Sequence, residues 1–496
     1  MDPTTDFDAL QRKLVPLWKS IQTLNQDEQT IVVVPSIGVD LTFLTGSELQ
    51  AYEERLLFLL MLLRQPRAHL VYVTSQPIDP LVVNYYLSLL PGVIPSHARA
   101  RLHLVTPRDG SPTPLTNKLL ARPRMLEAIR ALIPDTDRAH LVPFVATDAE
   151  RDLSLALGIP MYAADPKHLH FGTKSGGRRL FAEEDVAHPP GAEDVRTVAD
   201  VVDAIAELLR RRPDARAAIL KHDAAVSGEG NASIDLSGVD PSDRDEIQRR
   251  VHAMRLESSS TSLDTYLAVL ERDGGVVEER VMGEEVRSPS VQMRVTPLGE
   301  LEILSTHDQL LGGPSGQAYL GAAFPADPAY AAAITREAAK VGRRLASEGV
   351  LGRFAVDFVV LRSSGEWQPY AVEINLRKGG TTHPFLTLQF LTDGTYDPER
   401  AVFTAPNGHV KSFVASDHVE SEAYRGLTIE DVFDIAVRHG LHFDQSRQTG
   451  IVFHMLASLG TRGRFGLTAV EDSPPEAMQL YERTIAIFDD EIAGRA

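Results

Sequence analysis

Carboxylates stand on two apolar segments that follow each other closely in the chain. Asp357 lies inside one apolar run, and Glu373 and Asn375 end the next. The turn Ser363-Ser-Gly365 between the runs predicts an antiparallel hairpin, and alternate residues of a strand share a face, so Glu373 and Asn375 should point together. Two carboxylates and an amide oxygen form the oxygen-rich site that Mg²⁺ prefers. The alternative is a pair of charges on a solvated sheet face, but a carboxylate on an apolar strand needs a cation or several donors to offset its desolvation.

A second segment has the composition of a phosphate-binding loop. Lys221 ends a short apolar run and is followed by the small, polar stretch Ser227-Gly-Glu-Gly-Asn231. A lysine beside a glycine-rich loop offers positive charge and exposed backbone N–H groups, which polyphosphate binding requires. Taken alone, such a glycine-rich stretch is more often an ordinary turn. It is not a P-loop, and Thr173 stands where that motif needs a glycine before Lys174-Ser175.

A third segment follows directly on the carboxylate hairpin. It consists of Arg377, Lys378 and the run Gly379-Gly-Thr-Thr-His383. A planar guanidinium can hold a carboxylate or an acyl phosphate through two parallel hydrogen bonds, and glycines let a backbone approach an anion closely. The alternative interpretation is a helix-capping loop.

Composition excludes several other classes of protein. The 496 residues carry a formal charge of −18, which repels the phosphates that a nucleic-acid binder must neutralise. The absence of cysteine excludes disulfides, thiolate zinc sites and a cysteine nucleophile. The longest apolar run, Leu56 to Leu63, has eight residues, whereas a membrane helix needs about 20. With an acidic, polar N-terminus and no signal-peptide pattern, a cytoplasmic protein is expected.

The elements that must position these residues can be read from the hydrophobic periodicity. In the N-terminal third, four short apolar runs alternate with helical patterns, which predicts a doubly wound parallel sheet; the runs are 31–34, 70–73, 102–105 and 141–145. Between the first two runs, Ser47 and the leucines up to Leu63 predict one capped helix. No G-x-G-x-x-G motif follows Val34, so this unit is not the expected nucleotide site.

The middle of the chain changes to antiparallel patterns. A helix over 198–208 and a strand over 217–220 are followed by predicted strands over 275–281, 291–296 and 301–304. An alanine-rich helix over 328–348 precedes the carboxylate hairpin, and a small α/β unit begins near 408 and ends in a helix over 475–492. The predicted fold is therefore α/β and α+β with three domains, 1–165, 166–405 and 406–496.

The order of these parts resembles the ATP-grasp superfamily and, more narrowly, the pheganomycin-type peptide ligases, which have a pre-ATP-grasp domain, an ATP-grasp core and a small C-terminal domain. The likeness extends over about the middle half of the chain. The segments that carry it are Gly172-Thr-Lys-Ser-Gly-Gly-Arg-Arg-Leu-Phe-Ala182, Val277-Glu-Glu-Arg-Val-Met-Gly-Glu-Glu285, Ser288-Pro-Ser-Val-Gln292, His307-Asp-Gln309 and Glu373-Ile-Asn-Leu-Arg-Lys-Gly-Gly-Thr-Thr-His-Pro384.

The resemblance implies a role for each matching residue in binding ATP and Mg²⁺. These roles are phosphate contact for Lys174 and Lys221, a lid around Gly228 and Gly230, the adenine pocket for Glu278 and Val281, the ribose hydroxyls for Glu285, and Mg²⁺ binding for Asp357, Glu373 and Asn375.

The resemblance also implies a catalytic group. Arg377 would stabilise an acyl phosphate, and Arg353 would assist it. Separately from the resemblance, we expect His307 to position either substrate from the preceding antiparallel segment. Arg353 lies four residues before Asp357, whereas superfamily members often place an arginine two residues before the first metal carboxylate.

The expected activity is ATP- and Mg²⁺-dependent formation of an amide or peptide bond through an acyl phosphate. The partners would be a small carboxylate and an amine, such as an amino acid or peptide, without nucleic acid or membrane, and a homodimer is left open. Two alternatives remain at this point: another ATP-grasp reaction, either carboxylation or phosphate transfer, and a nucleotide-binding regulatory protein without turnover.

Overall fold

The N-terminal unit is a parallel sheet covered on both faces. The structure, a computed structural model, describes residues 3–22, 28–38, 44, 46–225, 230–258, 261–312 and 318–494. The four strands have the spatial order β3-β2-β1-β4, and each neighbouring pair is parallel. Ile31 and Val33 belong to one hydrophobic cluster, and Val32 and Val34 belong to another, which confirms the doubly wound arrangement. The strands are β1 (Gln29–Val34), β2 (Ala68–Val73), β3 (Leu102–Val105) and β4 (Ala139–Pro143).

Helices of this unit surround the sheet. They are α1 (Pro3–Gln11), α2 (Leu14–Gln22), α3 (Gly46–Glu54), α4 (Pro80–Ser88), α5 (Pro95–Arg99), α6 (Leu115–Leu120), α7 (Pro123–Arg130) and α8 (Asp148–Leu157), with 3₁₀ turns at Leu57–Arg64 and Thr136–Arg138.

The single helix predicted between Ser47 and Leu63 is wrong. The segment forms α3 and then a separate 3₁₀ helix. The carbonyl of Glu53, which an uninterrupted α-helix would offer to the N–H of Leu57, accepts a hydrogen bond from the Tyr72 hydroxyl at 2.6 Å. Ser47 is not the residue before the helix, because α3 already begins at Gly46, and its hydroxyl instead contacts that of Thr461 at 2.7 Å.

A small antiparallel sheet forms the first half of the core. Its strand order is β5-β9-β6-β7-β8, and α10 to α12 pack against it around one hydrophobic cluster. The predicted strand over 275–281 stops at Glu279, after which residues 280–284 connect this sheet to the next. The elements are α9 (Lys174–Glu183), β5 (Gly191–Val195), α10 (Val198–Arg211), β6 (Ala217–His222), β7 (Asn231–Asp235), α11 (Arg244–His252), β8 (Arg255–Leu256), α12 (Leu263–Asp273) and β9 (Gly275–Glu279), preceded by a 3₁₀ turn at Pro166–Gly172.

A large antiparallel sheet forms the second half. Over the described residues it has eleven strands, and the alanine-rich helix α13 packs on it. The strand β14 pairs with β15 as the predicted hairpin. The elements are β10 (Glu285–Arg287), β11 (Pro289–Val295), β12 (Leu301–Gly312), β13 (Ala318–Phe324), α13 (Pro328–Ser347), β14 (Gly352–Ser363), β15 (Glu366–Asn375), α14 (Thr382–Thr392), β16 (Thr395–Asp397) and β17 (Val402–Thr404).

The C-terminal segment continues this sheet. Strand β18 pairs with β13 on one side and with β20 on the other, and β19 pairs with β20. Side chains of this segment share a hydrophobic cluster with one face of the N-terminal sheet. The elements are β18 (Val410–Glu420), α15 (Ile429–Arg438), β19 (Gly450–His454), α16 (Leu459–Arg462), β20 (Arg464–Glu471) and α17 (Pro474–Ala493), with 3₁₀ turns at Glu422–Gly426 and Leu456–Ser458.

Within the described part of the chain, no helix has both the length and the apolar character needed to cross a bilayer.

Candidate active site

The three predicted metal ligands lie together on the β14–β15 hairpin. Asp357 and Glu373 are directly opposite in the strand register, and a bulge follows Asp357. The Asn375 side chain donates a hydrogen bond from Nδ2 to Asp357 Oδ2 at 2.9 Å. With Nδ2 engaged in this way, the amide oxygen of Asn375 remains as an acceptor or ligand atom.

Asp357 is buried beside a second carboxylate and two cationic side chains. Burial and then the neighbouring Glu373 carboxylate raise the pKa of Asp357 to about 7, although a hydrogen bond from Gln309 and the charges of Arg377 and Lys174 act to lower it. Two neighbouring carboxylates together with an amide oxygen are a donor set that suits a hard divalent cation. The residues present therefore fit Mg²⁺.

Lys174 connects the carboxylate hairpin to the small sheet. It is the first residue of α9, and Thr173 caps the helix by accepting the Gly176 N–H. The Lys174 Nζ lies 2.6 Å from Glu373 Oε1 and 3.1 Å from the carbonyl oxygen of Ala225. Ala225 lies two residues before Ser227, where the predicted loop begins, so one ammonium group contacts both the base of the loop and the carboxylate hairpin.

Lys221 and Glu278 form a buried charge cluster on the small sheet. They lie on the adjacent strands β6 and β9 and are ion-paired, and Arg178 Nη1 donates to Glu278 Oε1 at 2.8 Å. Burial alone would raise the pKa of Glu278, but Lys221 and Arg178 outweigh burial and lower it. Glu278 is therefore an anion that holds the side chains of Lys221 and Arg178 in place on the small sheet.

Gly230 forms the described end of the predicted lid, whereas Gly228 lies outside the described residues. The carbonyl of Gly230 accepts hydrogen bonds from the His222 N–H at 3.1 Å and the Tyr266 hydroxyl at 3.0 Å. A Cβ at Gly230 would lie 2.2 Å from the Cβ of Ala225, so a larger residue would not fit at the base of the loop.

Of the residues expected at adenine and ribose, Glu278 lies on β9, whereas Val281 and Glu285 lie where the chain passes from the small sheet to the large one. Val281 is half-buried within the 280–284 connection, and Glu285 opens β10. The Glu285 side chain is ion-paired with Arg287, and its Oε2 lies 3.5 Å from Arg362 Nη1. Both residues therefore stand where the chain passes from one half of the core to the other.

The segment after β15 docks on the N-terminal sheet. Lys378 donates from Nζ to the carbonyl of Pro143 at 2.6 Å and from its backbone N–H to that of Phe144 at 3.3 Å, at the carboxyl end of β4. Burial lowers the pKa of Lys378 to about 7, with a contribution from Arg353. Arg377 faces the hairpin instead: burial lowers its pKa, while the nearby Glu373 and Asp357 carboxylates raise it.

Arg353 and His307 do not join this group in the structure. Arg353 interacts electrostatically with Arg294, Tyr162, Glu302 and Lys378, and its Nη1 has no hydrogen-bond partner within the described residues. His307 is fully buried, and its ring centroid lies 5.3, 6.3 and 5.8 Å from those of Phe324, Phe385 and Phe413. Neither His307 nitrogen has a partner over the described ranges, and burial lowers its pKa to about 3.

Sequence reasoning missed three residues that contact the site. Arg178 binds Glu278, Gln309 hydrogen-bonds Asp357, and Tyr319 interacts electrostatically with Asp357. Arg178 could have been found, because it lies four residues after Lys174 on one helix and so shares a face with it. Gln309 belongs to the His307-Asp-Gln309 segment that carries the family resemblance, whereas nothing in the sequence around Tyr319 indicates that it contacts the site.

Comparison with protein families gives two matches. The IQCH-like ATP-grasp family matches residues 167–261 and 245–399, and the PGM1 C-terminal domain family matches residues 431–484. The first match contains the hairpin, both lysines and the Arg377 segment.

Two characterised proteins are similar along most of the chain. An L-propargylglycine–L-glutamate ligase of Streptantibioticus cattleyicolor is 30% identical over 443 residues, which is 87% of each chain. IQ motif-containing protein H of Danio rerio is 22% identical and matches 99% of this chain but 51% of its own length.

Solved structures share the architecture. The biotin carboxylase of Campylobacter jejuni superposes with a TM-score of 0.55 at 11% identity, covering 91% of this chain and 90% of its own. An N5-carboxyaminoimidazole ribonucleotide synthetase in complex with ADP gives a TM-score of 0.52 at 12% identity, covering 93% and 97%. At such identities these likenesses establish the fold alone.

Proposed function

This chain belongs to the ATP-grasp superfamily and, within it, to the pheganomycin-type peptide ligases, and we propose that it joins an amino acid or small acid to the amine of an amino acid or peptide. The enzyme is an ADP-forming ligase of C–N bonds. We assign the site described above to this reaction, with ATP, Mg²⁺, the acid and the amine as the species it must bring together.

One observation carries the proposal. Lys174, from the start of α9, lies against Glu373 of the hairpin and against the base of the loop after β6. A cation that reaches both halves of the core is suited to hold phosphates between them, next to the carboxylates that would hold Mg²⁺. Bound Mg²⁺ would neutralise charge on the phosphate oxygens and so favour phosphoryl transfer from ATP.

Each remaining group has a task that follows from its position. Lys221, held by Glu278, would neutralise further phosphate charge, and Arg377 would bind the carboxylate that attacks the terminal phosphate. The reaction then proceeds in two balanced steps: the carboxylate oxygen takes the phosphoryl group and releases ADP, and the amine displaces phosphate from the acyl carbon, forming the amide and losing a proton. Exclusion of water from the site would protect the acyl phosphate from hydrolysis.

The identity of the two substrates is open within one chemical class. The Streptantibioticus relative is named for a ligation of two amino acids, and we propose amino acids or short peptides for this chain as well. We also propose that the protein works in the cytoplasm, as we expect from its sequence.

The proposal is tested by incubating the protein with ATP, Mg²⁺ and pools of amino acids and dipeptides, and by measuring ADP release and the masses of the products. We expect ADP and phosphate in equal amounts with a new amide. With an ¹⁸O-labelled acid, one label should move to phosphate, because the carboxylate oxygen attacks phosphorus. ADP release with bicarbonate alone would indicate a carboxylase, a phosphorylated product would indicate a kinase, and no acid-dependent ADP release would contradict the proposal.

A further inference from the structure

A compact group of nitrogen and oxygen ligand atoms lies apart from the carboxylate hairpin. His383 Nε2 is 3.0 Å from His454 Nε2 and 3.3 Å from Asp417 Oδ1, and His454 Nε2 is 2.9 Å from the same Asp417 oxygen. The side chains of His383, Asp417 and His454 are only 5%, 3% and 3% exposed. Three potential ligand atoms therefore converge at one buried point.

Four separate parts of the chain build this cluster, and the fold makes room for it. His383 lies in the first turn of α14, Asp417 on β18 and His454 at the end of β19, while Arg55, which follows α3, is ion-paired with Asp417 through Oδ2. Gly466 is the cross-strand partner of His454, and a Cβ there would lie 2.2 Å from the imidazole Cδ2 and Nε2. The imidazole ring of His454 therefore occupies the space that a side chain at position 466 would otherwise fill.

With Asp417 ionised, as its ion pair with Arg55 favours, no protonation state of the two rings satisfies all three contacts. A carboxylate oxygen is an acceptor, and each Nε2 carries at most one hydrogen. If both nitrogens are protonated, each can donate to Asp417 Oδ1, but two donors then face each other at 3.0 Å. If only one is protonated, the bare nitrogen of the other ring faces the carboxylate oxygen, lone pair against lone pair, at 2.9 or 3.3 Å.

A cation among the three atoms removes this conflict, and we propose that His383, Asp417 and His454 bind a divalent first-row transition-metal ion. Three ligand atoms on adjacent corners of an octahedron with bonds of about 2.1 Å are separated by about 3.0 Å, close to the observed spacings. Two imidazoles with one carboxylate suit Zn²⁺, Mn²⁺, Fe²⁺ or Co²⁺ and not Mg²⁺, which takes oxygen ligands. Arg55 on the outer oxygen of Asp417 is the kind of second contact that orients a ligating carboxylate.

The position of the cluster gives the ion a role distinct from that of Mg²⁺. His383 directly follows the Arg377 to Thr382 segment, and Tyr319 interacts electrostatically with both Asp417 and Asp357. An ion on His383 would tie the end of this segment to β18 and β19 and so fix the backbone that follows Arg377. The proposal is independent of the ligase assignment, because it concerns metal content and not turnover.

The first test measures metal in the complete protein without reference to activity. The chain is produced in medium supplemented with zinc, manganese, iron and cobalt, purified without chelator, and analysed for metals by mass spectrometry. We expect about one transition-metal ion per chain. Protein stripped with chelator should then bind one Co²⁺, with absorption bands of a site that contains nitrogen ligands, in the presence of excess Mg²⁺.

Variants locate the ion. His454→Gln and Asp417→Asn should each lower Co²⁺ affinity at least about tenfold, whereas Glu373→Gln and His140→Gln, the latter on β4 outside the cluster, should bind as the wild type does. Circular dichroism and thermal unfolding establish that each variant is folded. Absence of stoichiometric Co²⁺ binding by the wild-type protein would overturn the proposal without any variant, and so would unchanged binding by folded His454→Gln or Asp417→Asn protein.

Discussion

Lys174 and Glu373 are 199 positions apart in the sequence, and the Nζ of the first lies 2.6 Å from Oε1 of the second. The Lys174 ammonium group is thus ion-paired with the carboxylate that we assign to Mg²⁺. Phosphate and metal ion must therefore compete with an internal ion pair when ATP binds, and several measurable consequences arise from this competition.

Replacement of Glu373 by Gln should abolish turnover and leave the fold intact, because it removes a charge from the metal site with little change of shape. We expect kcat to fall at least about 100-fold, as for the loss of other electrostatic contributors to catalysis, with a thermal midpoint close to that of the wild type. The matched control is Glu366→Gln, at the exposed start of the same strand. Near-normal activity of Glu373→Gln at modest Mg²⁺ concentration would remove this residue from the metal site.

Lys174→Met should weaken ATP binding and strengthen the response to Mg²⁺ alone. Without the Lys174 ammonium group, Arg377 is left to offset the charges of Glu373 and Asp357, so Mg²⁺ in the absence of nucleotide should raise the melting temperature of the variant more than that of the wild type. ATP affinity measured by calorimetry should fall about tenfold or more. Lys340→Met, whose partner is Glu337 on α13, serves as the control, and equal Mg²⁺ responses in the wild type and Lys174→Met would contradict the competition.

Arg377→Lys tests the acid-binding assignment, because lysine keeps the charge and loses the paired donors of the guanidinium. We expect kcat to fall about 100-fold with a smaller change in the KM for ATP, at unchanged thermal stability. Arg343→Lys, an exposed position on α13, is the control. Lower stability with normal kinetics would instead indicate that Arg377 has a structural role and that the acid binds elsewhere.

His307→Leu should stabilise the protein at acidic pH. The pKa of this ring falls from 6.5 to about 3 in the folded state because of burial, so between these values the unfolded chain binds a proton that the folded chain does not. The wild type consequently loses stability as the pH falls below 6.5, and the leucine variant should lose less, as seen in melting temperatures at pH 5 and pH 7.5. A large loss of kcat in folded His307→Leu protein would restore the catalytic role expected from the sequence.

Glu54→Gln should stabilise the protein at alkaline pH. Burial raises the pKa of this carboxyl from 4.5 to about 8, although the N–H of Ala457 donates to it at 3.1 Å. Between pH 4.5 and about 8 the folded protein retains a proton that the unfolded chain releases, so the free energy of unfolding falls as the pH rises. The glutamine variant should match the wild type near pH 5 and be more stable above pH 8. As a control, Glu482→Gln on the exposed face of α17 should have the stability of the wild type at both pH values.

Local pattern was sufficient for features whose partners lie close in the chain. The Ser363 to Gly365 turn and the apolar runs on either side determine the β14–β15 hairpin, and strand geometry then brings Asp357, Glu373 and Asn375 together. The alternation of strand and helix patterns was likewise sufficient to predict the parallel N-terminal sheet, because the hydrophobic period of a strand and that of a helix are each properties of a short segment.

Contacts between distant segments needed the packed structure. Spacing along the chain does not reveal that Tyr72 interrupts the helix after Glu53, that three phenylalanines enclose His307, or that Lys174 meets Glu373. It also could not place His383 beside Asp417 and His454, which stand 34 and 71 positions farther along the chain on two other elements. Periodicity reports only which face a residue occupies on its own helix or strand, whereas the packing of whole sheets against one another decides which faces meet.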